Sequence, residues 1–206
     1  MAGGVEPFVT AAALRVEPAP TELDAVTLAR AKQGEPAALR ALIELYQDRV
    51  YALVWRMLIG RAQHLTQDLA QETFVRVLRG IGSFDPRGEA RLSTWILTIA
   101  TRVVLNEKRR EGRDRADPDD AAIATTAGAE RTDHGLERAR LAEALTAGLA
   151  ALPDDQRAVF VLREYHELEY VEIATALELD LNTVRSRLHR ARAALRTQLT
   201  AAGVEP

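Results

Sequence analysis

No cysteine occurs among the 206 residues, which excludes disulfides, thiolate metal sites and a thiol nucleophile. The four histidines, His64, His134, His166 and His189, are too scattered along the chain to suggest a metal cluster, and neither a metal nor any other cofactor is expected. There is no Gly-rich phosphate loop, no Ser/His/Asp constellation and no carboxylate pair in a recognisable catalytic frame, so an enzyme acting on a small-molecule substrate is the weakest functional class. Apolar runs fall short of the roughly 18 residues of a membrane helix, and the N-terminal stretch lacks the basic segment that opens a secretion signal. A cytoplasmic protein is the expectation. Strand signals are missing too. A hydrophobic content of 47% is enough for the packed cores of one helical domain or two small ones.

Residues 1–20 are rich in Ala, Gly and Pro with little periodicity, and are expected to form a disordered tail. From 21 to 111 the chain carries apolar residues at helical spacing. Leu39, Leu42, Ile43, Tyr46, Val50, Leu53, Val54 and Met57 make one stripe, and the GEP at 34–36 separates it from a shorter helix before it. LTQDLAQETFVRVLRGI reads as a further helix closed by Gly80 or Gly82, and STWILTIATRVVLNEKRR as a long one starting at a Ser or Thr cap. Residues 112–135 are charged and rich in small residues, with no apolar stripe, and read as a flexible linker. Residues 136–200 hold four more helical patterns. The predicted architecture is all-α, two small helical domains on a tether.

The chain has a net charge of −3, yet Leu181–Thr200 contains five arginines and a histidine without one acidic residue. At about 100° per residue, Val184, Leu188, Ala191 and Leu195 fall on one stripe of this helix. Ser186, His189 and Arg190 lie opposite it, and Arg185, Arg187 and Arg192 flank them. The preceding YVEIATALELD reads as a short helix, a turn and a capping Asp180. Helix, tight turn and basic helix form the helix-turn-helix pattern, whose second helix enters the major groove. Arginine suits that role because its planar fork matches guanine and also grips phosphate. A merely solvated helix face is the alternative for the arginines taken alone.

Two other helices carry unusual outer faces. Around DLAQETF, Ala70, Thr73, Phe74, Val77 and Ile81 share the core side, whereas Asp68, Gln71, Glu72, Val75 and Arg79 share the other; an exposed valine among polar groups suggests an interface, with a plain solvated face as the alternative. In the helix from Ser93, Ile96, Ile99, Ala100 and Val103 bury, and Trp95, Thr98, Arg102, Asn106 and Arg109 form a second stripe. An indole and guanidinium groups along one edge suit stacking on an unpaired base and holding its phosphates. Trp95 fits a core position equally well.

LPDDQRAVFVLREYHELEYVEIATALELDLNTVRSRLHRARAALR resembles region 4 of a bacterial sigma-70 family RNA polymerase sigma factor of the extracytoplasmic-function (ECF) group. LARAKQGEPAALRALIELYQDRVYALVWRML, QDLAQETFVRVLRGIGSFDP and STWILTIATRVVLNEKRR resemble region 2 of the same family. The resemblance implies a transcription initiation factor that binds core RNA polymerase, at the β′ clamp helices and the β flap, and directs it to promoter DNA. It implies polymerase contacts at Asp68, Gln71 and Glu72. It implies −10 contacts along the Trp95, Thr98, Arg102, Asn106 and Arg109 stripe, and −35 contacts at Thr183, Arg185, Ser186, His189 and Arg190. An anti-sigma factor is a further candidate partner. The chain departs from the family at Arg102 and Asn106, where asparagine and aspartate are common, so the family's −10 preference is not carried over. It departs again at Glu178, a turn position where glycine is usual and where a left-handed backbone costs Glu about 1 kcal/mol more than Gly. The competing class is a self-standing helix-turn-helix regulator, which accounts for the C-terminal half alone and binds its operator without polymerase.

Overall fold

The computed structural model describes residues 22–59, 63–88, 90–114 and 133–203. The expected tail and residues 115–132 of the expected linker lie outside them. Among the described residues there are eight α-helices, one 3-10 turn and no strand. None of these helices is long and apolar enough to cross a membrane.

Helix α1 (Ala25–Lys32) starts at Asp24, whose carboxylate accepts from the backbone N–H groups of Val26 and Thr27 at 3.0 Å each. That satisfies two of the donors a helix start leaves open. The GEP break ends it, and Pro36 opens α2 (Pro36–Met57), where a missing N–H costs nothing. The stripe along α2 is the centre of the first domain: Leu42, Tyr46, Val50, Leu53, Val54 and Met57 are buried, with Leu39 and Ile43 packed at its edge. Helix α3 (Gln63–Gly80) runs into a 3-10 turn at Ile81–Ser83. Helix α4 (Leu92–Asp114) completes the domain, and α2, α3 and α4 all pack on one another.

The start of α4 corrects the expected Ser or Thr cap. Ser93 and Thr94 lie inside the helix, and the carboxylate of Glu22 caps it from a distance, accepting from Ser93 N at 3.4 Å and from the Ser93 hydroxyl. Tyr46 Oη donates to the same carboxylate at 3.0 Å. The segment before α1 is thereby pinned to both α2 and α4.

The second domain comprises α5 (Asp133–Ala151), α6 (Asp154–Glu164), α7 (Tyr170–Leu177) and α8 (Leu181–Ala201). Its core joins Leu149, Val159, Val161, Leu162 and Ile173 to the buried stripe Val184, Leu188, Ala191 and Leu195 of α8. Helices α5 and α8 approach so closely at Gly148 that a Cβ there would meet Leu195 Cδ2 at 2.7 Å and force that side chain to shift.

Besides the expected linker, direct contacts join the two domains. Arg157 of α6, almost fully buried, donates from Nη1 to the Met57 carbonyl of α2 at 3.0 Å. Its Nη2 donates to the carbonyls of Ala150 and Leu152 at 2.7 and 2.9 Å. One guanidinium therefore satisfies carbonyls at the ends of α2 and α5 together. The Arg56 guanidinium of α2, fully buried, lies 4.1 Å from the ring centroid of Tyr165, a cation–π contact strengthened by exclusion of water. The buried ammonium of Lys108 in α4 pairs with Asp154 of α6.

Candidate nucleic-acid interface

The turn between α7 and α8 has the geometry of a helix-turn-helix. An N-terminal box starts α7, where Glu169 N donates to Glu172 Oε2 at 2.8 Å. The helix ends at Glu178 in the left-handed conformation, φ 56° and ψ 47°, the backbone that the glycine usual there would adopt without strain. Leu179 N then donates to the Ala174 carbonyl at 2.9 Å. Asp180 caps α8 by accepting from Thr183 N at 2.8 Å. The Thr183 hydroxyl donates to the same carboxylate, and these bonds hold Asp180 below the usual carboxylate range.

Helix α8 sorts its cations by direction. Arg187 Nε lies 3.1 Å from Asp155 Oδ2, and Arg192 Nε donates to Glu164 Oε1 at 2.9 Å, so both are held by acids of α6. Arg192, which flanks the outer face, meets Glu164 in the free chain. Arg185, His189 and Arg190 are exposed, and neither arginine has an ion pair among the described residues. Their polar contacts are local, Arg185 Nη1 to Asn182 Oδ1 at 3.2 Å and Arg190 Nη2 to Ser186 Oγ at 3.4 Å. Ser186 is half-buried and donates to the Thr183 carbonyl. Four of the five proposed −35 residues thus lie on one open face, and Thr183 sits at its start with its hydroxyl engaged in the cap.

In the first domain, Asp68 and Gln71 are exposed on α3 beside Val75, which keeps 45% of its surface in solvent. Glu72 is half-buried and ion-paired to Arg76, one turn on, at 2.5 Å. The opposite side of the helix buries Leu69, Ala70, Thr73 and Val77.

The stripe along α4 is less uniform. Trp95 is half-buried, its ring centroid 5.3 Å from that of Phe84 and its edge 3.2 Å from where a Cβ on Gly80 would stand. It is both a packing residue and a partly open aromatic surface. Thr98 is half-buried and bonds back to the Thr94 carbonyl. Arg102, Asn106 and Arg109 are exposed, and Arg109 Nη1 reaches Asn106 Oδ1 at 3.4 Å. These three line one side of a cleft whose other side is Ala176, Leu177 and Glu178 of the second domain. Arg102 crosses it, from Nε to the Ala176 carbonyl at 3.2 Å and from Nη2 to Glu178 Oε1 at 3.0 Å. Thr94 Oγ1 donates to Glu172 Oε1 at 2.8 Å nearby.

Sequence reasoning missed the residues that join the domains: Arg56 and Tyr165, Thr94 and Glu172, Lys108 and Asp154, and Arg157. Two of them left a signal: Arg56 is a lone cation inside the apolar YALVWRMLI run, and Arg157 heads the apolar RAVFVL run. Among the described residues no cluster of three or more His, Asp or Glu is placed to hold a metal ion.

Comparison with known proteins places both domains. Residues 42–114 match the family description "Sigma-70 region 2", and residues 142–195 match "Sigma-70, region 4". The ECF RNA polymerase sigma factor SigW of Bacillus subtilis is 33% identical over 178 residues, spanning 82% of this chain and 92% of that protein. The fold is shared with the sigma factor RpoE of Bartonella quintana, solved in complex with the anti-sigma factor NepR, at a TM-score of 0.63 and 21% identity over 78% of this chain and 96% of that one. CnrH, solved in complex with the cytosolic domain of CnrY, gives a TM-score of 0.58 and 25% identity over 85% of this chain and 96% of its own.

Proposed function

The chain belongs to the ECF group of the sigma-70 family and is a transcription initiation factor that brings core RNA polymerase to promoters; we propose that it does so through three separate surfaces. Asp68, Gln71 and Glu72 on α3, around the exposed Val75, dock on the polymerase β′ clamp helices, and the second domain meets the β flap. The α4 stripe of Trp95, Thr98, Arg102, Asn106 and Arg109 takes the opened −10 strand. The α8 face of Thr183, Arg185, Ser186, His189 and Arg190 reads the −35 element in the major groove. The two domains run over residues 21–111 and 136–200.

One observation carries the −35 assignment. Arg187 and Arg192 are neutralised by acids of their own domain, whereas Arg185, His189 and Arg190 face outward and among the described residues no acid pairs with either arginine. Cations left unpaired at the start and outer face of a helix that follows a tight turn suit base edges and phosphate. The chain carries no chemistry of its own in this reading, since the polymerase makes the RNA. Its place is the cytoplasm, with polymerase and chromosome, and its further partner is an anti-sigma factor, as for the Bartonella relative.

Run-off transcription by core polymerase on genomic fragments, with and without the chain, tests the proposal. Promoter-specific transcripts that need both components are expected. A sequence-specific gel shift by the free chain, with no transcripts in the reconstituted reaction, would instead establish the self-standing regulator.

A further inference from the structure

The α4 face assigned to the −10 strand is only partly open in the free chain, because the C-terminal end of α7 lies against it and engages Arg102. Two sources of negative potential converge there: the carbonyl end of α7, presented by Ala176, and the Glu178 carboxylate. Arg102 fills this receptor with a two-point contact, 3.2 Å to the carbonyl and 3.0 Å to the carboxylate. Glu178 holds its position at φ 56°, a backbone that disfavours any residue with a Cβ. Two of the three positions noted as family departures, Arg102 and Glu178, therefore meet each other across the domains. Nothing in the second domain's own core uses the Glu178 side chain, which is 78% exposed.

We propose that Glu178 is an interdomain latch: its carboxylate competes with the DNA backbone for Arg102 and keeps the −10 face covered until the domains part. This rests on the α4 reading above. Arg102 has two ligands in alternation, the end of α7 in the closed chain and the opened strand in the promoter complex. The Thr94–Glu172 hydrogen bond and the Lys108–Asp154 pair close the same junction. The latch therefore tunes an existing closure and does not create it. With Arg102 47% and Glu178 78% exposed, its strength is that of a surface ion pair, about a two- to five-fold bias toward the closed form, weakening with salt.

The test uses Glu178→Gly and Glu178→Gln in the full chain. Glycine removes the carboxylate and the backbone strain together; glutamine removes only the charge. Because the chain has no native cysteine, dyes on Arg87→Cys and Gln198→Cys report domain separation by energy transfer. In a Trp55→Phe background, quenching of Trp95 by short random-sequence single-stranded DNA reports binding at α4 and not at α8. Both variants should raise the open population and tighten Trp95-detected binding by about two- to five-fold, with Glu178→Gly melting no lower than the parent. Energy transfer and quenching unchanged from the parent in both variants would overturn the latch. Domains that open without tighter Trp95-detected binding would uphold the latch and overturn the −10 assignment of the stripe.

Discussion

Arg190 and Arg192 are two residues apart on α8, about 200° around the helix, and the structure gives them opposite tasks. Arg192 is paired with Glu164, and the two side chains keep 48% and 35% of their surface in solvent. A pair so exposed contributes about 0.2–1 kcal/mol to stability. Arg190 has one polar contact among the described residues, to Ser186 Oγ at 3.4 Å, at the outer limit of a hydrogen bond. Its removal should leave the free chain's stability unchanged. If Arg190 instead makes a bidentate base contact at the −35 element, Arg190→Ala costs about 1–3 kcal/mol there, or about 5- to 150-fold in promoter use. The loss should fall on one base pair. Arg192→Ala should reverse the pattern, with a slightly lower melting point and −35 preferences intact. The assay is thermal melting of each free variant, paired with transcription by reconstituted holoenzyme across a library of −35 variants. If Arg190→Ala lowers every promoter by one factor, it contacts phosphate and the reading face is rotated from where we set it. If Arg192→Ala changes a base preference, the Glu164 pair does not persist on DNA.

Replacing Asp68, Gln71 and Glu72 together by Ala should weaken association with core polymerase in co-purification, while stability falls only by the about 0.3–0.5 kcal/mol of the Glu72–Arg76 pair; equal recovery with core would refute the docking face. Trp95→Ala should destabilise the chain by about 1–3 kcal/mol, part of the cost of a fully buried aromatic, and also reduce permanganate reactivity at the promoter. Trp95→Phe, keeping a stacking ring, should restore reactivity; failure to do so would leave Trp95 a packing residue only. His166 is buried, neither ring nitrogen has a hydrogen-bond partner among the described residues, and burial, then the charges of Arg56 and Arg49, push its pKa well below the ordinary value. Below about pH 6.5 the unfolded chain therefore takes up a proton that the folded chain refuses, and stability should fall with pH by up to about 1.4 kcal/mol per unit; a His166→Gln variant whose stability falls just as steeply from pH 6.5 to 5 would refute this.

Much of what depended on one helix was legible in the sequence. The α8 stripe and the Asp180 cap follow from spacing and local backbone chemistry, the left-handed site at Glu178 follows from the family resemblance, and the structure has each of them, whereas the left-handed turn at Glu167 left no signal. The cap of α4 was not legible, because its carboxylate comes from Glu22, 71 residues away. A serine before an apolar run looks like a cap whether or not another group takes the post. On α4 the assumption of one buried stripe also fell short. Leu97, Thr101 and Val104 are buried as well, since the helix packs against α2, α3 and α7 rather than against a single neighbour. The domain junction left the faintest trace. Its groups are arginine, lysine and carboxylate, and in a sequence these look like a solvated surface.

The composition of that junction bears on how the protein is used. Opening it does not cost the sum of its contacts, because the buried cations Lys108 and Arg157 regain hydration when released. A polar junction can therefore hold a closed form favoured by only a modest factor, whereas an apolar one of the same size would bind more tightly and less reversibly. If closure is favoured by about 100-fold, the free chain's affinity for an opened −10 strand falls by the same factor. Polymerase that binds the parted domains supplies the difference. The −35 face bears no such penalty, since Arg185, His189 and Arg190 are exposed in the closed chain. Its restraint comes from charge: with a net charge of −3, the acids around a five-arginine helix limit how many phosphates the chain can neutralise, and hence how firmly it holds arbitrary DNA. On the proposed assignments the free protein would be kept off the −10 strand by its own second domain and off random duplex by its charge, and docking on polymerase would relieve the first restraint while leaving the second to favour promoters over other DNA.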